Sequence, residues 1–434
     1  MGTATTDIVR EDARGNARPR VVIIGGGFGG IEAAKTLRTV AVDVTVIDRH
    51  NHHCFQPLLY QVATAALSPA DVAWPIRHML ARQRNTTVLM GEVRSIDTQL
   101  RVVQTAELTV PYDYLVLATG ATHSYLGHDE WEAVAPGLKG IDDATRTRRR
   151  ILIAFERAEL ADDEIERQRL LTFVIVGGGP TGVEMAGAIA EVARQTLPPD
   201  FRRIDPRTAR ILLIEAGPRL LPALSEPLSA YAQRTLTRMG VEVLTSSAVT
   251  ECHAQGVEVR GNLIAAGTII WAAGVVASPA ASWIGAARDK AGRAVVNPDL
   301  SVPGLPDVFI VGDAAAVNWR THQLVPGLAS AAKQMGRYVG EVIATRIRGS
   351  SHSRPFRYRH QGDLATIGRR AAVVNLKHLH LTGALGWLFW SVVHIYFLIG
   401  ARSRFAVAFS WAWQYVTFQR GARLITGTEP SQHR

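Results

Sequence analysis

Cysteine is scarce in this sequence of 434 residues, and acidic residues are outnumbered by basic ones. The two cysteines, Cys54 and Cys252, lie about 200 residues apart. They form no CxxC pair, zinc pattern or disulfide framework, which favours a reducing compartment. Acidic residues number 38 against 48 lysines and arginines, which gives a net charge of +10. Such a balance favours a nucleic acid or an anionic membrane surface, but the sequence carries no nucleic-acid-binding motif, so we expect no nucleic-acid partner.

An apolar leader segment is also missing. The first 19 residues contain no apolar run, which excludes a secretory signal, and we predict a disordered tail over residues 1–19. Glycine, in contrast, is abundant at 38 residues, and 47% of the chain is hydrophobic. The sequence can therefore bury a large core in two or three domains, and the glycine excess suggests backbone packed against cofactors.

A first nucleotide-binding pattern lies in RVVIIGGGFGGIEAAKTL, residues 20–37, where Gly25, Gly27 and Gly30 stand between a predicted strand and a predicted helix. In this spacing the first glycine allows the turn, the second allows a pyrophosphate to approach, and the third allows close packing of helix on strand. A second predicted strand, 42–48, ends in Asp48, where a carboxylate binds ribose hydroxyls. The segment predicts a dinucleotide-binding fold.

The pattern is repeated in LTFVIVGGGPTGVEMAGAIAEVA, residues 171–193, with Gly177, Gly179 and Gly182, and a strand within 209–217 supplies Glu215. This carboxylate pairs with a free 2′-hydroxyl and repels a 2′-phosphate, which favours NADH, although the nearby Arg219 leaves NADPH open. Neither glycine loop is followed by Lys-Ser/Thr, so neither is a P-loop. Two fingerprints in one chain imply two dinucleotides, FAD and a pyridine nucleotide.

Three further predicted strands, in residues 112–121, 268–276 and 306–317, end in small-residue turns. With the first glycine loop, Ala118-Thr119-Gly120 and Gly312-Asp313 resemble the flavoprotein disulfide-reductase superfamily. This resemblance implies FAD in the first fold, NAD(P)H in the second, and Asp313 at the ribityl chain of the flavin. Disulfide reductases and sulfide:quinone reductases need cysteines at the flavin, which the two distant cysteines do not supply. We therefore expect another electron acceptor.

Three histidines and a cysteine crowd the stretch RHNHHCFQPLLY, residues 49–60. Adjacent His52 and His53 point in opposite directions in an extended chain, and neither a carboxylate nor a later His/Cys pair joins them, so we expect no metal site. The rest of the stretch reads as a turn followed by a helix start. We interpret it as a segment that covers the flavin. The residues expected near the flavin rings are Gln56, Leu59, Tyr60 and Gln61.

Several blocks together resemble the type II NADH dehydrogenases, single-subunit NADH:quinone oxidoreductases. They are DRHNHHCFQPLLYQVAT, GGGPTGVEMAGAIAE, PGLASAAKQMGRYVG, YRHQGDLATIGRRAAVV and the aromatic-rich residues 381–425. The resemblance covers about residues 20–425. It implies that Glu184 lies between nicotinamide and flavin near the quinone end, and that Gln334 lines the quinone site. Two positions depart from the family pattern: Cys54 stands for an apolar residue and Ser330 for a common glutamine, which leaves the hydrogen bonding of the quinone pocket open.

The C-terminal part suits a membrane. Residues 381–400 contain no Asp, Glu, Lys or Arg and are long enough to span the hydrocarbon core as one helix. Residues 405–423 carry aromatics and basic ends, which suit a helix lying in the interface. Three interpretations stay open: one transmembrane helix, a monotopic anchor, which the family resemblance favours, and a buried core or dimer helix.

These observations predict an α/β fold with two Rossmann-like dinucleotide-binding domains, for FAD and NADH, and a C-terminal membrane-anchoring helical region. The expected boundaries are a discontinuous FAD-binding domain over 20–122 and 296–350, an NADH-binding domain over 123–295, and a membrane-association region over 351–434. The expected FAD ligands are Gly25, Gly27, Phe28, Gly29, Gly30, Asp48, Arg49, Gln56, Ala118, Thr119, Gly120, Gly312 and Asp313. The expected NADH ligands are Gly177, Gly179, Pro180, Thr181, Gly182, Glu184, Glu215, Ala273 and Gly274. Glu184 and Gln334 are the expected catalytic residues.

The predicted function is transfer of a hydride from NADH to FAD and of two electrons onward to a membrane quinone, ubiquinone or menaquinone, without proton pumping. The resemblance implies a homodimer on a bilayer surface, at the cytoplasmic face of a bacterial inner membrane. Two alternatives stay open. One is a flavoprotein reductase with a soluble acceptor, and the other is a slow-turnover redox sensor that binds NADH.

Overall fold

The computed structural model describes residues 18–320, 323–350, 354–417 and 420–426, so most of the predicted tail over 1–19 lies outside the described residues. The chain forms two compact units. The first comprises the described parts of Met1–His53, Trp74–Thr122 and Val275–Gln361. The second comprises those of Cys54–Ala73, His123–Gly274 and Gly362–Arg434.

Strands and helices are numbered in chain order. The strands are β1 (Arg20–Ile24), β2 (Asp43–Asp48), β3 (His52–Cys54), β4 (Ala73–Pro75), β5 (Thr86–Met90), β6 (Val93–Asp97), β7 (Val102–Thr105), β8 (Thr109–Pro111), β9 (Tyr114–Leu117), β10 (Ala121–His123), β11 (Thr172–Val176), β12 (Arg210–Ile214), β13 (Val241–Leu244), β14 (Val249–His253), β15 (Gly256–Val259), β16 (Asn262–Ala265), β17 (Thr268–Trp271), β18 (Val275–Ala277), β19 (Ala294–Val295), β20 (Ser301–Val302), β21 (Leu305–Ile310), β22 (Ala315–Ala316), β23 (Asn318–Arg320), β24 (Gln323–Leu324), β25 (Asp363–Thr366), β26 (Ala372–Asn375) and β27 (His380–Thr382). The α-helices are α1 (Phe28–Thr36), α2 (Leu59–Ala63), α3 (Pro69–Val72), α4 (Ile76–Leu80), α5 (Ile141–Leu160), α6 (Glu164–Leu170), α7 (Pro180–Glu191), α8 (Glu226–Arg238), α9 (Ala280–Trp283), α10 (Ala329–Ile347), α11 (Gly383–Phe397) and α12 (Ala401–Thr417).

The first unit is built on a six-stranded sheet in the order β20-β21-β9-β1-β2-β5, parallel except for the edge strand β20. Residues Val21–Ile24 of the central strand are at most 4% exposed. A strand buried on both faces is expected to be apolar throughout, and this is why the run VVII forms the middle of a parallel sheet.

The second unit contains a four-stranded parallel sheet in the order β13-β12-β11-β17. The same order occurs in the first unit, since β11, β12 and β17 take the places of β1, β2 and β9. In each unit a three-stranded antiparallel sheet, β6-β7-β8 or β14-β15-β16, precedes the last of these strands. This repeat confirms the predicted α/β fold with two Rossmann-like folds.

The C-terminal part adds the antiparallel sheet β25-β26-β27 and the helices α11 and α12 to the second unit. Helix α11 has 15 residues and ends at Phe397, because Leu398 is extended and Gly400 has a φ of +78°. The uninterrupted helix over 381–400 that a transmembrane span requires is therefore not formed. Among the described residues no helix combines the length and the apolar character needed to cross a membrane.

The boundaries of the compact units differ in part from those expected for cofactor binding. Residues 54–73 belong to the second unit rather than the first, and residues 275–295 belong to the first rather than the second. The described residues of the C-terminal part, from 362 onward, belong to the second unit. The predicted domain boundaries were drawn for nucleotide binding and stay a prediction.

Candidate functional site

In the first glycine loop, Gly25–Gly30, some glycines are required by the packing of the chain itself and one is required only by a bound ligand. Gly25 has a φ of +104°, and a Cβ atom there would lie 2.3 Å from the Ala118 carbonyl oxygen. A Cβ atom on Gly30 would lie 1.9 Å from the Gly25 carbonyl oxygen. A Cβ atom on Gly27, however, would meet its nearest atom only at 4.0 Å. The protein therefore does not need glycine at position 27, whereas a pyrophosphate approaching the backbone does.

The carboxylate of Asp48 is fixed beside this loop. One of its oxygens accepts a hydrogen bond from the Gly26 amide at 2.6 Å, and the other accepts one from the His50 amide at 2.7 Å. Both bonds come from backbone groups, so the carboxylate is oriented by the fold. It stands at the carboxyl end of β2, where the ribose of a dinucleotide binds.

The second glycine loop, Gly177–Gly182, repeats this geometry. Gly177 has a φ of +110°, and a Cβ atom on Gly182 would lie 1.8 Å from the Gly177 carbonyl oxygen. At Gly179 a Cβ atom would meet nothing within 4 Å. Glu215 accepts hydrogen bonds from the amides of Gly178 and Gly217, each at 2.6 Å. The two loops therefore form two equivalent binding sites for a dinucleotide.

The helices that follow these loops complete both binding sites. Gly27 and Gly179 are the N-cap residues of α1 and α7, and neither can supply a capping side chain. The backbone N–H groups and the positive dipole end of each helix are left to face an anion, which fits the pyrophosphate of FAD and of NADH. The guanidinium of Arg219, the residue that left NADPH open, donates hydrogen bonds to the carbonyls of Pro222 and Leu224.

The other residues expected at FAD are gathered in the first unit, with one exception. Helix α10 crosses α1 so closely that a Cβ atom on Gly336 would lie 2.1 Å from the Gly29 carbonyl oxygen. This crossing holds the start of α10 near the turn at Gly312, whose φ is +71°. The Thr119 hydroxyl shares a hydrogen bond of 2.5 Å with the Ser278 hydroxyl. Gln56 is the exception, since it belongs to the second unit and donates to the Lys139 carbonyl.

The histidine-rich stretch contributes one residue to the first loop. The His53 Nδ1 atom is hydrogen-bonded to the Gly26 carbonyl at 2.8 Å, and its ring packs edge-on against Phe28 at 4.8 Å. Burial lowers the pKa of His53 to about 4, so the ring is neutral. Its buried Nε2 atom has no hydrogen-bond partner in the described part of the chain. His53 therefore joins Asp48 as a polar group beside the glycine loop, a role that the sequence analysis did not predict for it.

A metal cluster was not expected in this stretch. In residues 18–320, 323–350, 354–417 and 420–426 no group of three or more His, Cys, Asp or Glu side chains could hold a metal ion. Burial raises the pKa of the Cys54 thiol to about 12, so it stays protonated and does not favour a cation.

A cavity of about 640 Å³, its mouth included, lies within the second unit. Four parts of the chain line it: residues 60–66, the end of α7 with the π-helical turn Val192–Thr196, the turn after β25, and helices α11 and α12 with residue 420. Its aromatic wall consists of Tyr60, Trp387, Trp390, Trp411 and Tyr415. An aromatic wall with a few polar groups suits contact with a flat, largely apolar ring.

Glu184 is buried on α7, one helical turn before Ala188 in the cavity wall. The only hydrogen bond recorded for its carboxyl within the described residues is a long one, from the Thr366 amide at 3.5 Å. Burial raises the pKa of Glu184 to about 8, which one hydrogen bond only partly offsets. The side chain is therefore a neutral acid at pH 7 and can act as a proton donor.

A buried ion pair ties the far side of the cavity together. Arg420 donates to Glu191 at 2.8 Å, and their side chains are only 8% and 11% exposed. Arg420 also donates to the Thr64 carbonyl at 2.8 Å, and Glu191 accepts from the Arg369 amide at 2.5 Å. Four separate stretches of the chain thus meet at one pair of charges.

Comparison with known proteins identifies the family of this chain. The family described as pyridine nucleotide-disulphide oxidoreductase matches residues 19–336, and the NDH2 C-terminal domain matches residues 360–420. The type II NADH:quinone oxidoreductase NdhA of Mycobacterium tuberculosis is 44% identical, over 94% of this chain and 90% of its own length. The chain belongs to the type II NADH:quinone oxidoreductases. The relative Ndh of the same organism is 43% identical over the same shares of both chains.

Solved structures share the fold of this type II NADH:quinone oxidoreductase. NDH2 from Plasmodium falciparum in complex with NADH matches with a TM-score of 0.85 at 21% identity, over 94% of this chain and 100% of that one. The sulfide:quinone oxidoreductase of Aquifex aeolicus matches with a TM-score of 0.71 at 19% identity, over 90% and 92% of the two chains. These structures support the fold, and the family predicted from the sequence is confirmed by the family models and the two Mycobacterium tuberculosis relatives.

Within this type II NADH:quinone oxidoreductase, the two expected catalytic residues lie in different units. Gln334 is on α10 of the first unit, and its amide exchanges two hydrogen bonds of 2.9 Å with the backbone of Arg359. Its role at the quinone stays a prediction. Sequence reasoning missed Glu191 and Arg420. One signal was present, because Glu191 follows Glu184 by two helical turns on a helix that is otherwise apolar.

Proposed function

We propose that this protein transfers two electrons from NADH to a membrane quinone, with FAD as its bound cofactor and without pumping protons. The observation that carries the proposal is the presence in one chain of two dinucleotide-binding sites and a cavity beside a neutral, buried Glu184. Family membership supports the same activity, since the similar proteins are named as NADH:quinone oxidoreductases.

The first glycine loop would hold FAD through Gly27 and Asp48, with Asp313 toward its ribityl chain. The second would hold NADH through Gly179, with Glu215 facing the free 2′-hydroxyl of the adenosine ribose. Bound FAD supplies the two-electron chemistry that links hydride donation by NADH to reduction of a quinone. The chain would position the nicotinamide, the flavin and the quinone for reaction, and this positioning would be a large share of its catalytic contribution.

Reduction of a quinone to a quinol consumes two protons as well as two electrons. Glu184 is the acid that the second unit offers for this purpose, because burial keeps it protonated at neutral pH. The aromatic wall of the cavity can stack against the quinone ring. Ubiquinone and menaquinone are both planar and both fit this description, so either is a substrate candidate.

The apolar faces of the last two helices support a docking surface for the bilayer. Helix α11 exposes Leu385, Leu388, Val392 and Tyr396, which are spaced three or four residues apart. Helix α12 exposes Phe405, Phe409, Trp413 and Val416 with the same spacing. Side chains at such spacing lie on one face of a helix, and large exposed apolar faces mark interaction sites. We propose monotopic attachment at the cytoplasmic face of a bacterial inner membrane, as a homodimer.

An anaerobic experiment tests the function. Purified protein is mixed with NADH or NADPH while the flavin absorbance is followed, and ubiquinone-1 or menadione is then added. We expect NADH to reduce the flavin rapidly, NADPH to reduce it more slowly, and the quinone to reoxidise it promptly. Bleaching that only a soluble protein carrier reverses would instead support the soluble-acceptor alternative. A long-lived complex with NADH that no acceptor reverses would support a redox sensor.

A further inference from the structure

Three side chains on the cavity wall form a directed chain of hydrogen bonds. The indole Nε1–H of Trp411 donates to Gln61 Oε1 at 2.7 Å. Gln61 Nε2 in turn donates to the Tyr60 hydroxyl oxygen at 2.8 Å. Tyr60, Gln61 and Trp411 all line the cavity, and the first two are 7% and 8% exposed. The chain therefore runs from the C-terminal helix α12 to a phenol in the wall.

The direction of this chain follows from the chemistry of its first member. An indole N–H can donate but not accept, so the atom of Gln61 that faces Trp411 has to be the amide oxygen. The amide NH₂ group is then the one that faces Tyr60, and the phenol oxygen has to accept. The donor-only indole therefore fixes the orientation of the Gln61 amide.

A phenol that accepts one hydrogen bond still has its own proton to donate. Among the described residues, the hydrogen bond recorded for the Tyr60 hydroxyl is the one that it accepts from Gln61. Burial, together with the neighbouring Glu184, raises the pKa of Tyr60 well above its ordinary value, so the hydroxyl remains protonated. A buried O–H donor is costly to leave without an acceptor.

We propose that the Tyr60 hydroxyl donates a hydrogen bond to a carbonyl oxygen of the bound quinone, and that Trp411, acting through Gln61, is the positioning residue that turns this donor toward the cavity. The proposal rests on the proposed function, because it assigns a contact to the quinone of that reaction. It makes Tyr60 a substrate-binding residue and Trp411 a residue that acts at a distance. The recognised chemistry is a planar ring with a carbonyl acceptor.

Tyr60→Phe removes the donor while keeping the ring. The expected result is a fall in kcat/KM for ubiquinone-1 of about 2- to 13-fold, which is the range that one neutral hydrogen bond supports. The rate of flavin bleaching by NADH should stay within about 2-fold of the wild type. Tyr125→Phe is the matched control, because Tyr125 is also a buried, hydrogen-bonded tyrosine of the second unit but bonds to the Ala135 carbonyl. It should change neither rate.

Trp411→Phe tests the positioning step. Without the indole N–H, the Gln61 amide can turn its oxygen toward Tyr60. The Tyr60 hydroxyl then donates its hydrogen bond to Gln61 instead of to the quinone. This variant should lose quinone kcat/KM about as much as Tyr60→Phe, and the double variant should lose no more than either single one. Additive losses would show that the two residues act independently and would overturn the chain.

A spectroscopic readout is independent of turnover. The infrared carbonyl band of carbon-13-labelled ubiquinone-1 is compared between the oxidised wild type and Tyr60→Phe, alongside the binding constant from quenching of tryptophan fluorescence. A band shifted down in the wild type and restored in the variant supports the hydrogen bond. An unshifted band, or identical bands with unchanged kcat/KM, refutes it. If the wild-type flavin does not recolour with quinone at all, the proposed function fails instead, so the two failures are distinguishable.

Discussion

The buried Glu184 carboxyl should lower the stability of the folded protein at neutral pH while serving as a proton donor. Replacing it with glutamine measures both the effect on stability and the effect on quinone reduction. A carboxyl whose pKa is raised to about 8 in the folded state, against 4.5 for the unfolded chain, holds its proton more tightly when folded. Above pH 4.5 the unfolded chain gains from ionising this group, and the folded protein does not. Stability is therefore full below pH 4.5 and is lost progressively as pH rises through about 8.

The size of the effect follows from the same shift. Each pKa unit corresponds to about 1.4 kcal/mol, so the penalty is roughly 3 kcal/mol at pH 7 and roughly 5 kcal/mol at pH 8 and above. Glutamine has nearly the same shape and does not titrate. Glu184→Gln should consequently resemble the wild type in stability near pH 4 and become increasingly more stable than it as the pH is raised.

The assay is thermal unfolding of the flavin-loaded protein at pH 5, 7 and 8.5, paired with the two half-reactions. The Tm difference between Glu184→Gln and the wild type should widen by several degrees across this range. Quinone reduction should slow on the order of 10²-fold, the lower limit typical of losing a general acid, with little loss of bound FAD. Glu32→Gln, which removes an ion-paired carboxylate from the first unit, should not reproduce the widening. Parallel Tm curves for Glu184→Gln and the wild type would refute the assignment of a neutral carboxyl, and equal losses of FAD binding and quinone reduction would refute its role.

The remaining predictions concern a glycine loop, the buried ion pair and the bilayer face. Gly27→Ala should fold but lose FAD, whereas Gly30→Ala should fail to fold, because only its Cβ atom overlaps the backbone; absorbance of purified protein and circular dichroism separate the two outcomes. Arg420→Met removes the guanidinium that pairs with the buried Glu191 carboxylate, so the free energy of unfolding should fall by about 3–5 kcal/mol, measured by denaturant titration, and Arg420→Lys should recover part of it. Phe409→Ser should lower the fraction of protein that co-sediments with anionic vesicles while leaving turnover of ubiquinone-1 unchanged. Loss of turnover with unchanged vesicle binding would contradict the proposed docking surface.

The sequence allowed the two nucleotide folds to be predicted because their determinants are local. The glycine spacing, the apolar strand before it and the acid at the end of the second strand all lie within about 40 residues in each copy. In the structure, Asp48 accepts a hydrogen bond from the Gly26 amide and Glu215 accepts one from the Gly178 amide, each at 2.6 Å. Local pattern and tertiary contact here describe the same few residues.

The cavity could not be predicted in the same way, since its walls are hundreds of residues apart in the chain. Gln61 is bonded to Trp411 across 350 positions, and Arg420 reaches the Thr64 carbonyl across 356. No spacing rule connects such pairs. The hydropathy of 381–400 misled for a related reason: it measures apolar character but not the break at Leu398, where the backbone turns out of the helix.

The internal repeat shows that environment, more than sequence position, sets the chemistry of a carboxyl group. Glu32 and Glu184 each stand two residues after the third glycine of their loop, on equivalent helices. Glu32 accepts two hydrogen bonds from the Arg337 guanidinium, which neutralises its charge. Glu184 has the amide of Thr366 at 3.5 Å as its recorded hydrogen-bond partner in the described chain, and burial raises its pKa to about 8. The same residue at the same place is thus a paired anion in one copy and a neutral acid in the other. It follows that giving Glu184 an arginine partner of its own would convert it into a structural anion, and would remove its proton from the reaction without altering the glycine loop that precedes it.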